Sequence, residues 1–207
     1  MQLALQVARS RRVLLVNSIG TRMPLPGRST QVRARLTRKL KSILRGVRQP
    51  VAELPEFFVY SPVSLPLYQS RLARRLNTLA LRVQIRVVCR WLRIAEPDLI
   101  VTPPTAWETV RGLPRRSLTF NRSDKHSAWA EVDQGFVERC EHELLRRSGL
   151  ILYVSHALMT EDAALTGERA YFLDHGVDVA RFDPDGPVAD DVAALPRPRV
   201  GYFGALR

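Results

Sequence analysis

The sequence predicts an α/β domain built on a doubly wound parallel sheet. Short apolar runs rich in β-branched residues alternate with longer stretches of helical periodicity. Apolar residues make up 45% of the 207 residues, enough for the core of one domain and part of a second. This alternation is typical of βαβ units, in which parallel strands are joined by right-handed crossovers. The predicted fold is therefore Rossmann-like.

The first half of the chain predicts two strands and two helices. Residues 12–17 (RVLLVN) form an apolar strand that leads into a turn at residues 18–20. Residues 30–48 predict an amphipathic helix with basic residues opposite its apolar side. A strand at 56–60 and a long helix at 70–92 follow. The apolar side of the first helix consists of Val32, Leu36, Leu40, Ile43, Leu44 and Val47.

The second half predicts four further strands and one helix. Pro97 is the expected stop of the long helix, and Ser155 is a candidate helix cap. The strands are 98–101, 116–120, 150–154 and 170–173, and the helix is 131–147.

Three regions follow from this order of elements. Residues 1–175 are predicted to form the Rossmann-like domain, and 176–197, where Pro and Gly occur among acids, an interdomain linker. Residues 198–207 (PRVGYFGALR) predict the first strand of a second domain. We expect the chain to stop where that domain begins.

Charge is distributed unevenly along the chain. Residues 1–95 contain 19 Lys and Arg but only two acids, a net charge of +17. Residues 96–207 contain 13 basic and 18 acidic residues, a net charge of −5. This asymmetry indicates a face that meets something anionic, unless it reflects only a general preference for arginine.

Several classes of protein are excluded or disfavoured. The first turn has one glycine where a dinucleotide fingerprint needs three, and neither GK[ST] nor GxSxG occurs. The two cysteines are far apart, and no spacing predicts a metal site. No run of apolar residues predicts a transmembrane helix. We therefore expect no metal, no cofactor and a cytoplasmic protein, with a peripheral position on the inner face of the cell membrane as the open alternative.

Candidate site residues follow the predicted strands, because parallel sheets bind ligands at their carboxyl edge. After the first strand, Ser18, Gly20 and Arg22 could contact a ligand backbone or phosphate, or form a plain tight turn.

The densest polar cluster is FNRSDKHSAW, after the strand at 116–120. Asp124 could orient the His126 imidazole, and Arg122 and Lys125 could hold an anion near Asn121. The alternative is a solvated loop in which Asn121 and Asp124 only make turns. Thr102–Thr105, Ser155-His156 and Asp174-His-Gly176 lie at the same predicted edge.

The basic helix at 30–48 permits three interpretations. It could lie on an anionic membrane surface, bind nucleic acid, or pack against the sheet with solvated charges. Nucleic acid is disfavoured because no aromatics are interleaved with the basic residues. A narrow arginine stripe is also predicted on the 70–92 helix and just beyond it, formed by Arg71, Arg75, Arg82, Arg86 and Arg93.

The linear order of several motifs resembles the retaining GT-B glycosyltransferases of family four. Gly176-Val-Asp178 and Phe182 resemble that family's interdomain segment, and Val200–Gly204 resembles the first strand of its second domain. Upstream, EPDLIVTPPTAW and GLILYVS resemble two of its strands. His175 stands where the family usually has asparagine.

The resemblance implies that this chain is the acceptor-side N-terminal domain of such a transferase. The sugar nucleotide would bind mainly to the second domain, and the acceptor would be a cell-envelope or exopolysaccharide molecule, lipid-linked or saccharide. The family has a polar residue near the sugar after the mid-sheet strand, often His or Asp, and Asp124 and His126 are the two candidates for this catalytic position. Ser18 to Gly20 would line the same cleft. The alternative is a non-catalytic Rossmann-like module that binds an anionic ligand or a membrane surface.

Overall fold

The computed structural model describes residues 2–17, 46–63, 71–129, 133–179, 183 and 185–199. The chain divides into two compact units, Met1–His175 and Gly176–Arg207. This division falls where the sequence predicts the linker to begin. The assignment of 176–197 as a linker and of 198–207 as a strand of another domain stays a prediction, and residues 200–207 lie outside the described residues.

The first unit begins with a small sheet in which β3 is central. Strand β1 (Val13–Val16) pairs in parallel with β3 (Phe57–Tyr60), and β2 (Val47–Arg48) pairs with β3 in the antiparallel direction. Alternate residues of β3, Phe57 and Val59, point into a core that also contains Ala8, at the end of α1 (Gln2–Val7). The sequence analysis did not predict α1 or β2.

Strand β2 corrects the predicted end of the basic helix. Gly46 has a φ of +57°, and Val47 and Arg48 pair with Tyr60 and Val59. The predicted helix is therefore wrong at residues 46–48, because left-handed backbone at a glycine ends a helix and the chain then enters the sheet. Residues 30–45 of that helix lie outside the described residues.

Helix α2 (Arg71–Trp91) confirms the long helix predicted at 70–92. It ends before Pro97, because Arg93 adopts a φ of +55° and the Ile94 amide donates to the Cys89 carbonyl at 2.8 Å. The bond from Ile94 satisfies the Cys89 carbonyl in the last turn of the helix. Arg93 occupies the left-handed position that follows many helices, where glycine is the commonest residue.

Two arginines of the predicted stripe bind protein rather than solvent. The Arg82 guanidinium donates to the carbonyls of Glu108 and Thr109, and Arg86 donates to the Gly112 carbonyl at 2.6 Å. These carbonyls surround the end of α3 (Trp107–Val110), where the last turn of a helix leaves acceptors unpaired. These two arginines therefore anchor α2 to α3.

The second sheet has four strands, all parallel, in the order β4-β5-β6-β7. They are β4 (Asp98–Val101), β5 (Ser117–Arg122), β6 (Leu150–Tyr153) and β7 (Ala170–Phe172). Helices α4 (Gln134–Arg147), α5 (His156–Glu161) and α6 (Ala163–Thr166) occur between the later strands. This arrangement confirms the α/β class and is consistent with a Rossmann-like fold, although the described strands form two separately hydrogen-bonded sheets.

The main core lies between α4 and the second sheet. Cys140, Leu144 and Leu145 of α4 pack against a row of strand residues that includes Phe120 and Ile151. Burial raises the pKa of the Cys140 thiol to about 12, so this cysteine is an inert core residue. Helix α4 starts at Gln134 rather than at Glu131, because the Asp133 carboxylate accepts from the Phe136 amide and caps it.

The second unit is described in part and contains α7 (Asp190–Ala193). None of its described residues is buried. Across the described part of the chain, no helix is long and apolar enough to cross a membrane.

Candidate functional site

The candidate site lies at the carboxyl ends of β4 and β5. Strand β5 continues to Arg122, so Asn121 and Arg122 belong to the strand and not to the loop that the sequence predicts. The Asn121 amide donates to the Thr102 hydroxyl at 3.3 Å, which joins the ends of the two strands. The loop that follows contains a short 3-10 turn at His126–Ala128.

A network of buried ion pairs contacts this loop and holds it in place. Arg122 is 2% exposed, and its Nη1 lies 2.7 Å from Glu141 Oε1 while its Nε lies 3.2 Å from Asp162 Oδ2. Tyr153 donates its hydroxyl proton to the same Asp162 oxygen at 2.9 Å. Arg122 also donates to the Asp124 carbonyl at 3.3 Å. Burial leaves Arg122 little surface for the substrate contact that the sequence predicts.

Glu141 connects the network to the loop. Its carboxylate accepts from the Ser127 hydroxyl at 2.7 Å and from the Ser127 amide at 3.2 Å. The sequence analysis did not select Glu141, although one signal was present. Glu141 lies four residues after Val137 and three before Leu144, so an acidic residue occupies the buried face of a helix.

The loop holds Asp124 by its side chain. Asp124 Oδ2 accepts from the Trp129 indole at 3.1 Å, and Oδ1 accepts from the Lys125 amide at 2.8 Å. The sequence interpretation in which this carboxylate orients His126 is replaced by a different geometry: the main-chain carbonyl of Asp124 lies 3.1 Å from His126 Nδ1. In the tautomer that donates to this carbonyl, Nε2 is an acceptor.

His126 lies between the loop and α4. Its side chain is 14% exposed, and its Nδ1 lies 4.0 Å from Glu141 Oε1. Its ring is tilted against Trp129 with a centroid distance of 4.7 Å. A partly exposed imidazole with one nitrogen fixed by the backbone can offer its other nitrogen to a ligand hydroxyl.

Lys125 points to a neighbouring helix. Its ammonium pairs with the Glu161 carboxylate of α5, and this hydrogen bond raises the pKa of Lys125 and lowers that of Glu161. The predicted anion contacts of Lys125 and Arg122 are thus both directed to carboxylates of the protein itself.

The remaining candidates are spread over the same edge and beyond it. Ser155 is the N-cap of α5 as predicted, because its side chain accepts from the Leu158 amide. His156 stacks on Phe172 with a centroid distance of 3.9 Å, a structural contact. Ser18, Gly20 and Arg22 lie outside the described residues. Within the described ranges, no cluster of His, Cys, Asp and Glu could hold a metal ion.

No protein-family model matches the chain, and comparison with curated proteins gives no significant match. The assignment of function therefore depends on the residues and their geometry.

Proposed function

We propose that this chain is the acceptor-binding half of a retaining GT-B glycosyltransferase of family four. In this proposal the enzyme transfers a sugar from a nucleotide-sugar donor to a cell-envelope or exopolysaccharide acceptor. The donor would bind mainly to a second domain, and the reaction would take place in the cytoplasm, with the enzyme peripheral on the inner face of the membrane. The ordered motifs from residue 96 onward support this assignment.

The loop of Asp124 and His126 is the observation that carries the proposal. It lies at the carboxyl edge of a parallel sheet, where α/β folds bind their ligands. Asp124 is exposed and can accept a hydrogen bond from a sugar hydroxyl, and His126 can offer Nε2 to another. The buried Arg122 and Glu141 hold the loop, so both groups are positioned before a ligand arrives.

In a two-domain transferase that contains this chain, we expect Asp124→Ala and His126→Ala each to lower kcat/KM by about tenfold or more. Each variant removes a protein side chain that would hydrogen-bond to the acceptor or the sugar. The ion pairs of Arg122 with Glu141 and Asp162 keep all their side chains. Steady-state kinetics with a labelled nucleotide sugar and the acceptor measures the effect. Lys125→Ala is the matched control, because Lys125 lies in the same loop but its ammonium is directed to Glu161 of α5.

Unchanged kcat/KM in both variants, with transferase activity intact, would remove these two residues from the site. A chain that binds simple anions but no saccharide, and whose two-domain form transfers no sugar, would favour the non-catalytic module.

A further inference from the structure

Helix α2 presents an exposed apolar face, called the α2 outer face below. Its six side chains fall within a sector of roughly 120° on the helix and extend over roughly 28 Å of its axis. Each of them is between 51% and 67% exposed, although all are large and apolar. They are Leu72, Leu76, Leu79, Val83, Val87 and Trp91.

This pattern differs from scattered surface residues. Isolated exposed apolar side chains are normal in soluble proteins, but a continuous row on one helix marks a contact surface. Other sides of α2 are already used, because Val88 is buried and Arg82 and Arg86, which flank the row, donate to carbonyls near α3. The helix therefore has one face in the fold and a second apolar face directed outward.

The positive charge around the α2 outer face indicates which kind of partner binds there. No acidic residue occurs between Phe57 and Ala95, and the exposed Arg75 and Arg90 lie beside or within the row. A partner with an apolar interior and a negatively charged surface would complement this apolar row and its arginines. Anionic phospholipid has both properties, since acyl chains accept Leu, Val and Trp while phosphates bind arginine.

Two other occupants fit the charges less well. A second copy related by a two-fold axis would bring the same arginines against each other. The chain's own segment 18–45 contains eight Lys and Arg and no acid, so it offers no complementary charge.

We propose, independently of the glycosyltransferase assignment, that the α2 outer face docks on a phospholipid surface with anionic head groups. The helix lies parallel to that surface, with Leu79 and Val83 at the centre of the contact. Arg75 and Arg90 extend to the phosphates, and Trp91 lies at the boundary between head groups and acyl chains.

Vesicle flotation with the full chain tests the proposal. Vesicles of phosphatidylcholine mixed with phosphatidylglycerol should bind the protein, vesicles of phosphatidylcholine alone should bind it more weakly, and added salt should release it. The variant Leu79→Gln/Val83→Gln should lower the partition coefficient by about tenfold or more. Its fold is checked by circular dichroism, and both side chains are exposed, so folding should be unaffected.

The matched control is Leu195→Gln/Val177→Gln, the same pair of residue types at similar exposure in the second unit. This control should bind vesicles like the unmodified chain. A second measurement uses Trp91 fluorescence: lipid should shift the emission to the blue. Trp91→Phe should remove most of that shift, because Trp107 is buried and the Trp129 indole is hydrogen-bonded to Asp124 in the candidate site.

Three results would overturn the proposal. Equal binding of the Leu79→Gln/Val83→Gln variant and the unmodified chain would place any lipid contact elsewhere, for example at residues 30–45. Equal binding to neutral vesicles would remove the role of charge. A dimer in sedimentation velocity that becomes a monomer in the double variant, without vesicle binding, would identify a second copy as the occupant.

Discussion

Arg122 is buried with two carboxylates, and this arrangement determines the shape of the candidate site. Charges removed from water are costly unless they are paired, and Arg122 contacts both Glu141 and Asp162. Asp162 also accepts from Tyr153, whose own pKa is raised, mainly by burial. Each side chain of the network is held by another, and Arg122 and Glu141 hydrogen-bond to the loop at 123–129. The network therefore holds this loop in one conformation. The exposed Asp124 and the partly buried His126 therefore depend on the buried Arg122 and Glu141 for their positions.

Asp98 gives a prediction at the residue scale. Its carboxylate accepts from Arg116 and Ser117, and these hydrogen bonds, with the Arg116 bond the larger cause, lower its pKa from 3.8 to about 2. Because the pKa of Asp98 is lower in the folded chain than in the unfolded chain, the ionised carboxylate stabilises the fold at pH values above its unfolded-state pKa. This stabilisation is lost as the pH falls toward 2. We therefore expect Asp98→Asn to destabilise the chain at neutral pH and to have little effect near pH 2.

Urea denaturation of Asp98→Asn and the unmodified chain at a series of pH values measures this difference. Arg116→Gln is the companion variant, and it should reduce the pH dependence in the same range because it removes the main hydrogen-bond donor. A destabilisation that stays constant between pH 7 and pH 2 would contradict the assignment.

At the scale of elements, α2 and α3 are joined by arginine donors and helix-end acceptors. Arg82 donates to the Glu108 carbonyl at 2.6 Å and to the Thr109 carbonyl at 3.0 Å. Gly112 allows this approach, since a Cβ at that position would lie 2.5 Å from the Arg82 Cζ. A Cβ at this position would therefore displace the flexible end of the Arg82 side chain from its carbonyl acceptors.

We expect Gly112→Ala to lower the free energy of unfolding by about 1–3 kcal/mol, because the guanidinium must leave its acceptors. Gly135→Ala is the matched control in α4. Its Cβ would meet only Arg139 Nη1 at 3.6 Å, and alanine should stabilise the helix by up to about 1 kcal/mol. Urea denaturation of both variants measures the two effects, and equal shifts of the same sign would show that Arg82 does not depend on Gly112.

At the scale of the whole molecule, the two units differ in burial. The first contains the buried core between α4 and the parallel sheet, whereas no described residue of the second is buried. Segments without buried apolar contacts open at low free energy. We expect amides at 185–199 to exchange with deuterium much faster than those of β5, β6 and α4. Hydrogen exchange read by mass spectrometry checks this, and equal protection of the two regions would show that the second unit is stabilised by contacts of its own.

Local patterns were sufficient for the strands and long helices. The short apolar runs of the strands and the wide apolar surface of α2 are properties of neighbouring residues. Strands β1 and β3 to β7 and helices α2 and α4 were therefore located within a few residues. Short elements were missed, because α1, β2 and α3 contain too few residues to establish a period. The end of the basic helix was wrong because Gly46 was treated as an interior residue.

The sequence by itself determined the α/β class and the polar loop at 123–129 that follows β5, since both depend on local order. The carboxyl edge of the sheet as the place for a site stays a prediction. Only the tertiary structure decided that Arg122 is buried, that Glu141 supports the loop, and that Asp124 binds Trp129 rather than the His126 ring. It also separated the two arginines of α2 that donate to backbone carbonyls from its exposed apolar face. These properties depend on which side of each element or loop meets another. Glu141 lies 14 positions after Ser127 and Asp162 lies 40 positions after Arg122, so these contacts form only when the chain folds.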